Sequence, residues 1–586
     1  MTAETGTGTS TEPGAALAAL LDRAGAPRAL AAPALARLGA GAAALLDADP
    51  WRLLRVPGVT VAQADHFARA LLGDAARPDD PRRGRALAEH VVAAAARRGH
   101  TVVAAADVVA ELGRLGVADA SRAVEDALDE GWVLPLTEEP EFDPEADPED
   151  EPPAMEERVG AARWAVAEEA AAEGFARLTA LGTGLLPDED VRALRAGLAE
   201  DRSLALTAAL RTGVSVWRGA AADVEDTALA VAGAAAAKGL RAAVAAPTAR
   251  AAADLAARVP AGAGFAVASV HALLEPSAAP DGPPGAVVFG RGEQRPLELD
   301  LLVVTDAAGF DVEGCAVLVE ACPDGAHLVL GAAPGAPPAA GPGRVLDDLE
   351  ESQTVPVVEL DPAEPPGPLA SLVAAVRGGE LVAVDAPDRE VVVVPAASDG
   401  EAVHRAVQLV TDSIPRALGI PVEDVLAVAP APGGAAGAAA LNRALKERLN
   451  PGPGAVGGFD AGDRVLAAAA LPAAPVGEPG VVTAAGPDGL TVEFASGSVT
   501  LAAADAALLR HGWAAPVALA RFAPRAAVVA VFGADAPLSR PVAATAFGLA
   551  RRHLSVVQGA GPALARAVRE TGPAPRRTRL AGLVVV

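Results

Sequence analysis

From residue 214 onward the chain alternates short apolar runs with helical or loop segments. VSVW (214–217), LRAAVAAP (240–247), LDLLVVTD (299–306), AHLVLGA (326–332) and VPVVEL (355–360) form one set. GELVAVDA (379–386), REVVVVPA (389–396), DVLAVAP (424–430), AAVVAVFG (526–533) and HLSVVQG (553–559) form a second. A run that is apolar at consecutive positions must be buried on both sides. Strands of that kind, separated by helices, predict parallel sheets with helices on both faces. The second set is interrupted by residues 459–502, where strand-like alternation and turns at Pro-Gly and Asp-Gly predict a small inserted β-barrel.

The first part reads differently. Residues 15–135 are short helices, and DPWRLLRVPGVT (49–60) followed by VAQADHFARALLG predicts a helix, a tight turn at Pro57-Gly58 and a second helix opening near Thr60. The helices after it could end in a small wing. TEEPEFDPEADPEDEPPAMEE (137–157) is rich in proline and acid and predicts a solvated linker. The segment 158–182 is expected to be helical, and MTAETGTGTSTEPG to be a disordered tail.

At 586 residues the chain exceeds one ordinary domain. Its net charge of −27 opposes unspecific attachment to nucleic acid or anionic membrane, although Arg clusters at 82–85 and 575–579 leave local basic surfaces open. Cys315 and Cys322 are the only cysteines and lack histidines at ligand spacing, so two buried thiols are expected and no metal site. No apolar run approaches the roughly 20 residues of a membrane helix. A cytoplasmic location is expected, nucleoid-associated if the chain binds DNA.

Taken together, the hairpin unit, the two strand sets and the insertion resemble the RecD-like branch of superfamily 1 DNA helicases. AAVAAPTARAAADLAARV (242–259), ASVHALLE (268–275), GPGRVLDDL (341–349), ALNRALKERLNP (440–451) and FDAGDRVL (459–466) resemble recurrent blocks of that family. The resemblance implies a multidomain α/β fold: a helical helix–hairpin–helix region, two RecA-like P-loop NTPase-type parallel-sheet domains and a small SH3-like β-barrel inserted in the second. The expected boundaries are a tail (1–14), the hairpin domain (15–75), a helical or winged region (76–136), the linker (137–157) and a helical connector (158–195). RecA-like domain 1 follows (196–352), then domain 2 (353–458 and 509–586), with the barrel at 459–508.

The family's catalytic positions are altered. In GAAADVEDT (219–227) Gly219 keeps the first glycine of a G-x-x-x-x-G-K-[ST] phosphate loop, but Val224, Glu225 and Asp226 stand at the second glycine, lysine and hydroxyl positions. Thr227 is read as standing near the helix start; it or Asp226 is a plausible helix cap. A carboxylate about 4 Å from a phosphate opposes it by a few kcal/mol at an effective dielectric near 20. Thr305 and Asp306 stand where the family has Asp-Glu; Asp306 is the one surviving acid, with a strand-end or helix-cap role as its alternative. Ala332 and Gly335 replace the Asp and Gln of the coupling loop, Pro365 and Pro366 an Arg and Gln. Leu549 stands at the arginine that meets the γ-phosphate. Arg551 and Arg552 are read as lying on a surface helix.

Phosphoryl transfer relies on positioning and charge neutralisation together, so these changes predict a catalytically degenerate, non-hydrolysing relative that needs no cofactor. An active ATP-dependent DNA helicase using ATP and Mg²⁺ is one alternative, a protein-interaction scaffold the other. DNA contact by backbone, to single strands or junctions, is expected at Arg52, Arg55, Pro57, Gly58, Thr60 and Arg69, and at Pro247, Thr248, Arg250 and His271. A repair or recombination protein is a further possible partner; a membrane is not expected. Trp217 and Trp513 could stack bases, with core packing as the commoner role.

Overall fold

The computed structural model describes residues 13–136, 156–280, 282, 286–362 and 367–585. Most of the tail, most of the acidic linker, and Pro365 and Pro366 lie outside them.

The N-terminal helices share one core, built around Leu17, Leu21, Leu46, Trp51, Leu53, Phe67, Leu87 and Leu112. The stretch Pro50–Arg55 is a 3-10 helix, and Val61–Leu72 is the α-helix after the turn. The wing is a three-stranded sheet of order β1-β3-β2, with β1 Val103–Ala104, β2 Leu134–Pro135 and β3 Arg158–Gly160. Its middle strand comes from the segment expected to be wholly helical. Pairing on both sides draws residues 158–160 into extended form before the Ala162–Leu181 helix begins.

The five runs of the first apolar set, joined by Ala266–Ser269, form a parallel sheet of six strands. They are β4 (Val214–Arg218), β5 (Ala242–Ala246), β6 (Ala266–Ser269), β9 (Leu301–Val304), β10 (His327–Ala332) and β11 (Val357–Glu359), in the order β11-β4-β10-β9-β5-β6. A short hairpin, β7 (Pro276–Ala278) and β8 (Val287–Phe289), stands apart. Strand β9 shows why the sequence runs are unbroken. Leu302 and Val304 enter the core on one face, while Leu301 and Val303 enter the core on the other. Successive side chains alternate sides, and each fully buried Leu or Val contributes roughly 1.5–3 kcal/mol.

A second parallel sheet has the order β12-β21-β20-β13-β19, from β12 (Val391–Pro395), β13 (Val425–Ala429), β19 (Ala514–Pro516), β20 (Arg525–Phe532) and β21 (Ala550–Gln558). GELVAVDA contributes no strand. Arg551 and Arg552 lie on β21 and not on a helix, because the Arg540–Gly548 helix ends just before them.

Residues 464–511 supply β14 (Arg464–Ala467), β15 (Pro479–Gly486), β16 (Gly489–Phe494), β17 (Gly497–Leu501) and β18 (Leu509–His511). They form an antiparallel sheet of order β17-β16-β15-β14-β18 around its own apolar cluster. Its end strands are not paired with each other, so the expected barrel is seen as an open sheet. A buried polar network fastens it to the Ala438–Leu449 helix. Lys446 Nζ donates to Asp460 (2.8 Å) and Asp463 (2.6 Å), and Asn450 donates to Asp463 at 2.7 Å. Lys446 holds the Asp460 carboxyl down to about 2. Lys446 is thus an internal tie.

The end of the chain returns to the first half. Leu580 and Val584 of the Leu580–Val584 helix enter the core under the first sheet. The basic run ahead of it is consumed in anchoring: Arg576 donates to the carbonyls of Ala339, Gly341 and Gly343, and Arg577 pairs with Asp107. The amides of Arg579 and Leu580 donate to the buried Glu168. Thr578 donates to Asp348, whose carboxyl is pushed up to about 7 by burial.

Candidate functional site

The connection after β4 is shorter than the sequence suggested. Gly219 and Ala220 alone separate the strand from the Ala221–Ala237 helix, which has no side-chain cap. Thr227 therefore lies in the second turn; it is buried, and its hydroxyl donates to the carbonyl of Asp223 at 2.6 Å. Neither Thr227 nor Asp226 caps the helix. The residues that would form a phosphate loop are wound into helix, because Asp223 and Val224 are satisfied by packing there.

Each position has an internal partner. Val224 is fully buried, and a Cβ on Gly331 of β10 would come within 2.5 Å of its methyl group. A Cβ on Gly219 would meet Leu360 at 2.9 Å, so that glycine serves close packing of chain on chain. Asp223, in the first helical turn, accepts from Arg202 at 2.8 Å, which places a carboxylate of the protein where the helix dipole favours an anion. Glu225 accepts from Arg258 at 2.7 Å, and Asp226 pairs with the same guanidinium. Burial raises the Glu225 carboxyl despite Arg258 and the nearby Arg551.

Thr305 ends β9 with its amide on Ala245 O at 2.9 Å. Asp306 follows and accepts from the amide of Ala308 at 3.2 Å, the strand-end turn that was its alternative role. Burial pushes its carboxyl upward, with Arg521 as the largest opposing charge. Arg521 donates to Pro337 O at 2.7 Å, and the ring of Phe522 covers Gly309 so closely that a Cβ there would collide with it. Gly335 lies in a turn at positive φ, and Leu549 is buried in the core of the second sheet. The cavity beside the end of β4, bordered by Arg218, Ala307, Phe310 and Arg344, measures about 20 Å³. That is room for about one water. Trp217 and Trp513 are both in cores.

The hairpin is the exposed counterpart. Pro57, Gly58 and Thr60 face solvent, held from below by the buried Val56 and Val59. Gly58 has φ +85° with nothing near its Cα face, so the turn requires glycine for its backbone and leaves its surface open. Thr60 and Gln63 form a capping box: Gln63 N–H donates to Thr60 Oγ1 at 3.3 Å and Thr60 N–H to Gln63 Oε1 at 2.8 Å. Arg69 is exposed on the same helix. Arg52 and Arg55 turn inward instead. Their guanidinium carbons sit 4.7 and 4.5 Å from the Trp132 ring centre, and they pair with Asp49 and Glu89. In the 82–85 cluster Arg82, Arg83 and Arg85 pair with Asp80, Asp65 and Glu130.

Residues 14–102 match the family of the ATP-dependent RecD2 DNA helicase HHH domain. The N-terminal region is thus similar to HHH domains of the RecD2 type. Among solved structures, the chain resembles Pif1 helicase from Bacteroides in complex with ADP-AlF3 and ssDNA (14% identity, 58% of this chain and 88% of that one, TM-score 0.34). It also resembles Pif1 helicase from Candida albicans (13% identity, 62% and 95%, TM-score 0.34).

Outside the HHH domain, Pro247, Thr248, Arg250 and His271 come together at the ends of β5 and β6. They meet there residues that sequence reasoning missed. Thr248 caps the Ala249–Ala256 helix, accepting from Ala251 N–H at 3.2 Å, and is fully buried. The amides of Ala249 and Arg250 donate to Glu478 at 2.6 and 3.0 Å. His271 Nε2 lies 2.7 Å from Leu471 O. The only sequence signal for Glu478 is its Gly-Glu-Pro-Gly turn into β15.

Among the described residues no helix is long and apolar enough to cross a membrane, and no group of three or more candidate side chains could hold a metal ion. Both thiols are buried, and burial raises them, Cys322 to about 12.

Proposed function

We propose that this chain is a RecD-like helicase relative that engages DNA through its HHH hairpin without hydrolysing ATP. The observation that carries the reading is the start of the Ala221–Ala237 helix directly after Gly219-Ala220, with Val224 packed on Gly331 where a phosphate would need open backbone. ATP and Mg²⁺ do not fit the residues present: Glu225 and Asp226 bring negative charge, and Arg258, with which both pair, is already shared between them. The two parallel sheets correspond on this reading to two RecA-like domains, and the open antiparallel sheet, which reaches His511, to the SH3-like insertion. The hairpin would offer its exposed turn and the first amides of the Val61–Leu72 helix to backbone phosphate, in the manner of helix N-termini generally.

Anisotropy of labelled single-stranded, duplex and forked DNA over a salt series tests the binding half. Saturable, salt-sensitive binding is expected, and absence of any complex at low salt would overturn it. DNA-stimulated phosphate release from ATP tests the other half and is expected to be nil. A scaffold that excludes DNA is a second reading, favoured by one observation: the arginines around Trp132 are matched by Asp49, Glu89 and Glu130. The same salt series separates the two.

A further inference from the structure

The start of the Ala249–Ala256 helix is covered by one segment of the chain. Glu478 reaches it from the residue before β15, where Ala467 N–H at the end of β14 donates to the Glu478 carbonyl at 3.0 Å and fixes its register. The turn before it is built for close approach: Gly477 has φ +85°, and a Cβ there would lie 2.9 Å from Leu519 O. The Glu478 carboxylate is completely removed from solvent. Its two oxygens take the first two amides of the helix, one each. Nearby, Thr248 Oγ1 donates to Phe522 O at 3.4 Å, and His271 bonds Leu471 O. Residues 471–522 thus cover Thr248, His271 and the first amides of the helix, while the Arg250 side chain stays exposed.

Burial of a carboxylate is costly and is offset only by hydrogen bonds and charge at the site. Burial raises the Glu478 carboxyl, while the Ala249 and Arg250 amides and the cations Arg250 and Arg525 favour its charged form. A bidentate anion on the first amides of a helix uses the same donors that a phosphate would use.

We propose that Glu478 is an intramolecular latch: it holds the antiparallel sheet over the start of the Ala249–Ala256 helix and keeps nucleic-acid phosphate from the Ala249 and Arg250 amides. The latch defines a closed state of the molecule, and its release uncovers Thr248, His271 and the two amides beside the already exposed Arg250. The nucleic-acid part rests on the reading that the chain binds DNA; the mechanical part does not.

The test uses the full chain with Glu478→Ala and, as an isosteric control against misfolding, Glu478→Gln. Hydrogen exchange is followed at Ala249 and Arg250, whose amide partner is Glu478, and affinity for a labelled oligothymidylate is read by anisotropy. Exchange at both amides should accelerate about tenfold or more in Glu478→Ala, and oligonucleotide affinity should rise about tenfold. Adding Arg250→Ala should return the affinity toward that of the unaltered chain. Unchanged exchange and affinity in a folded Glu478→Ala chain would overturn the latch, even if the hairpin binds DNA. Faster exchange with no DNA complex in any variant would uphold the mechanical latch and overturn the DNA-binding reading.

Discussion

Two helices begin where an anion could be met, and their first turns have opposite fates. The Val61–Leu72 helix opens behind an exposed Pro57-Gly58 turn and is capped by Thr60. The Ala221–Ala237 helix opens two residues after β4 with no side-chain cap, and its first turn is filled from within by Asp223 and Val224. One start presents backbone to solvent; the other spends it on packing and an internal carboxylate. A helix N-terminus is therefore a binding site only where the protein has not already supplied the anion or the bulk. The Ala249–Ala256 helix lies between these cases, its start well capped by Thr248 yet occupied by Glu478.

The largest test of that contrast is to write the phosphate-loop residues back in. The combination Val224→Gly, Glu225→Lys and Asp226→Thr should not create nucleotide binding, because the connection has no loop to close around phosphate. It should cost about 3 kcal/mol of stability, from the cavity left by Val224 and a glycine inside a helix. Denaturant unfolding and a nucleotide titration check both halves; nucleotide binding by this variant would break the comparison.

Gly331→Ala addresses the same packing from the other side. The new methyl would press on Val224 and on the carbonyls of Thr305 and Val304, and a loss of roughly 1–3 kcal/mol is expected in thermal unfolding. At the open helix the effects are smaller. Thr60→Ala removes one half of the capping box and should cost about 1 kcal/mol while weakening DNA binding. Arg69→Ala should leave stability unchanged and lower the slope of log affinity against log salt by about 1.

Much of this contrast was legible in the sequence, and the part that was not has a physical reason. Most inner strands of the two parallel sheets follow from unbroken apolar runs, since burial on two faces leaves no room for polar alternation; β9 is the clear example, while the short edge strands β6 and β19 lie outside those runs. The opening of the hairpin's second helix near Thr60 follows from the Pro57-Gly58 turn ahead of it. Thr227 and Asp226 misled because capping residues look the same one turn inside a helix. Strand-like GELVAVDA failed because β12 takes the sheet edge instead. Arg52, Arg55 and the 82–85 cluster read as basic surface until the fold brings Trp132, Glu89 and Glu130 to them from elsewhere in the chain. Glu478 was invisible for the same reason: its partners are more than two hundred residues away. Local chemistry names which groups can bind, and tertiary contact decides which remain free.

The central claim is that the chain keeps the position of a phosphate loop and has closed it. Titration of the intact protein with a fluorescent ATP analogue in the presence of Mg²⁺ tests this most directly. The account predicts no saturable signal. Saturation in the micromolar range, displaced by unlabelled ATP and accompanied by DNA-stimulated phosphate release, would contradict it.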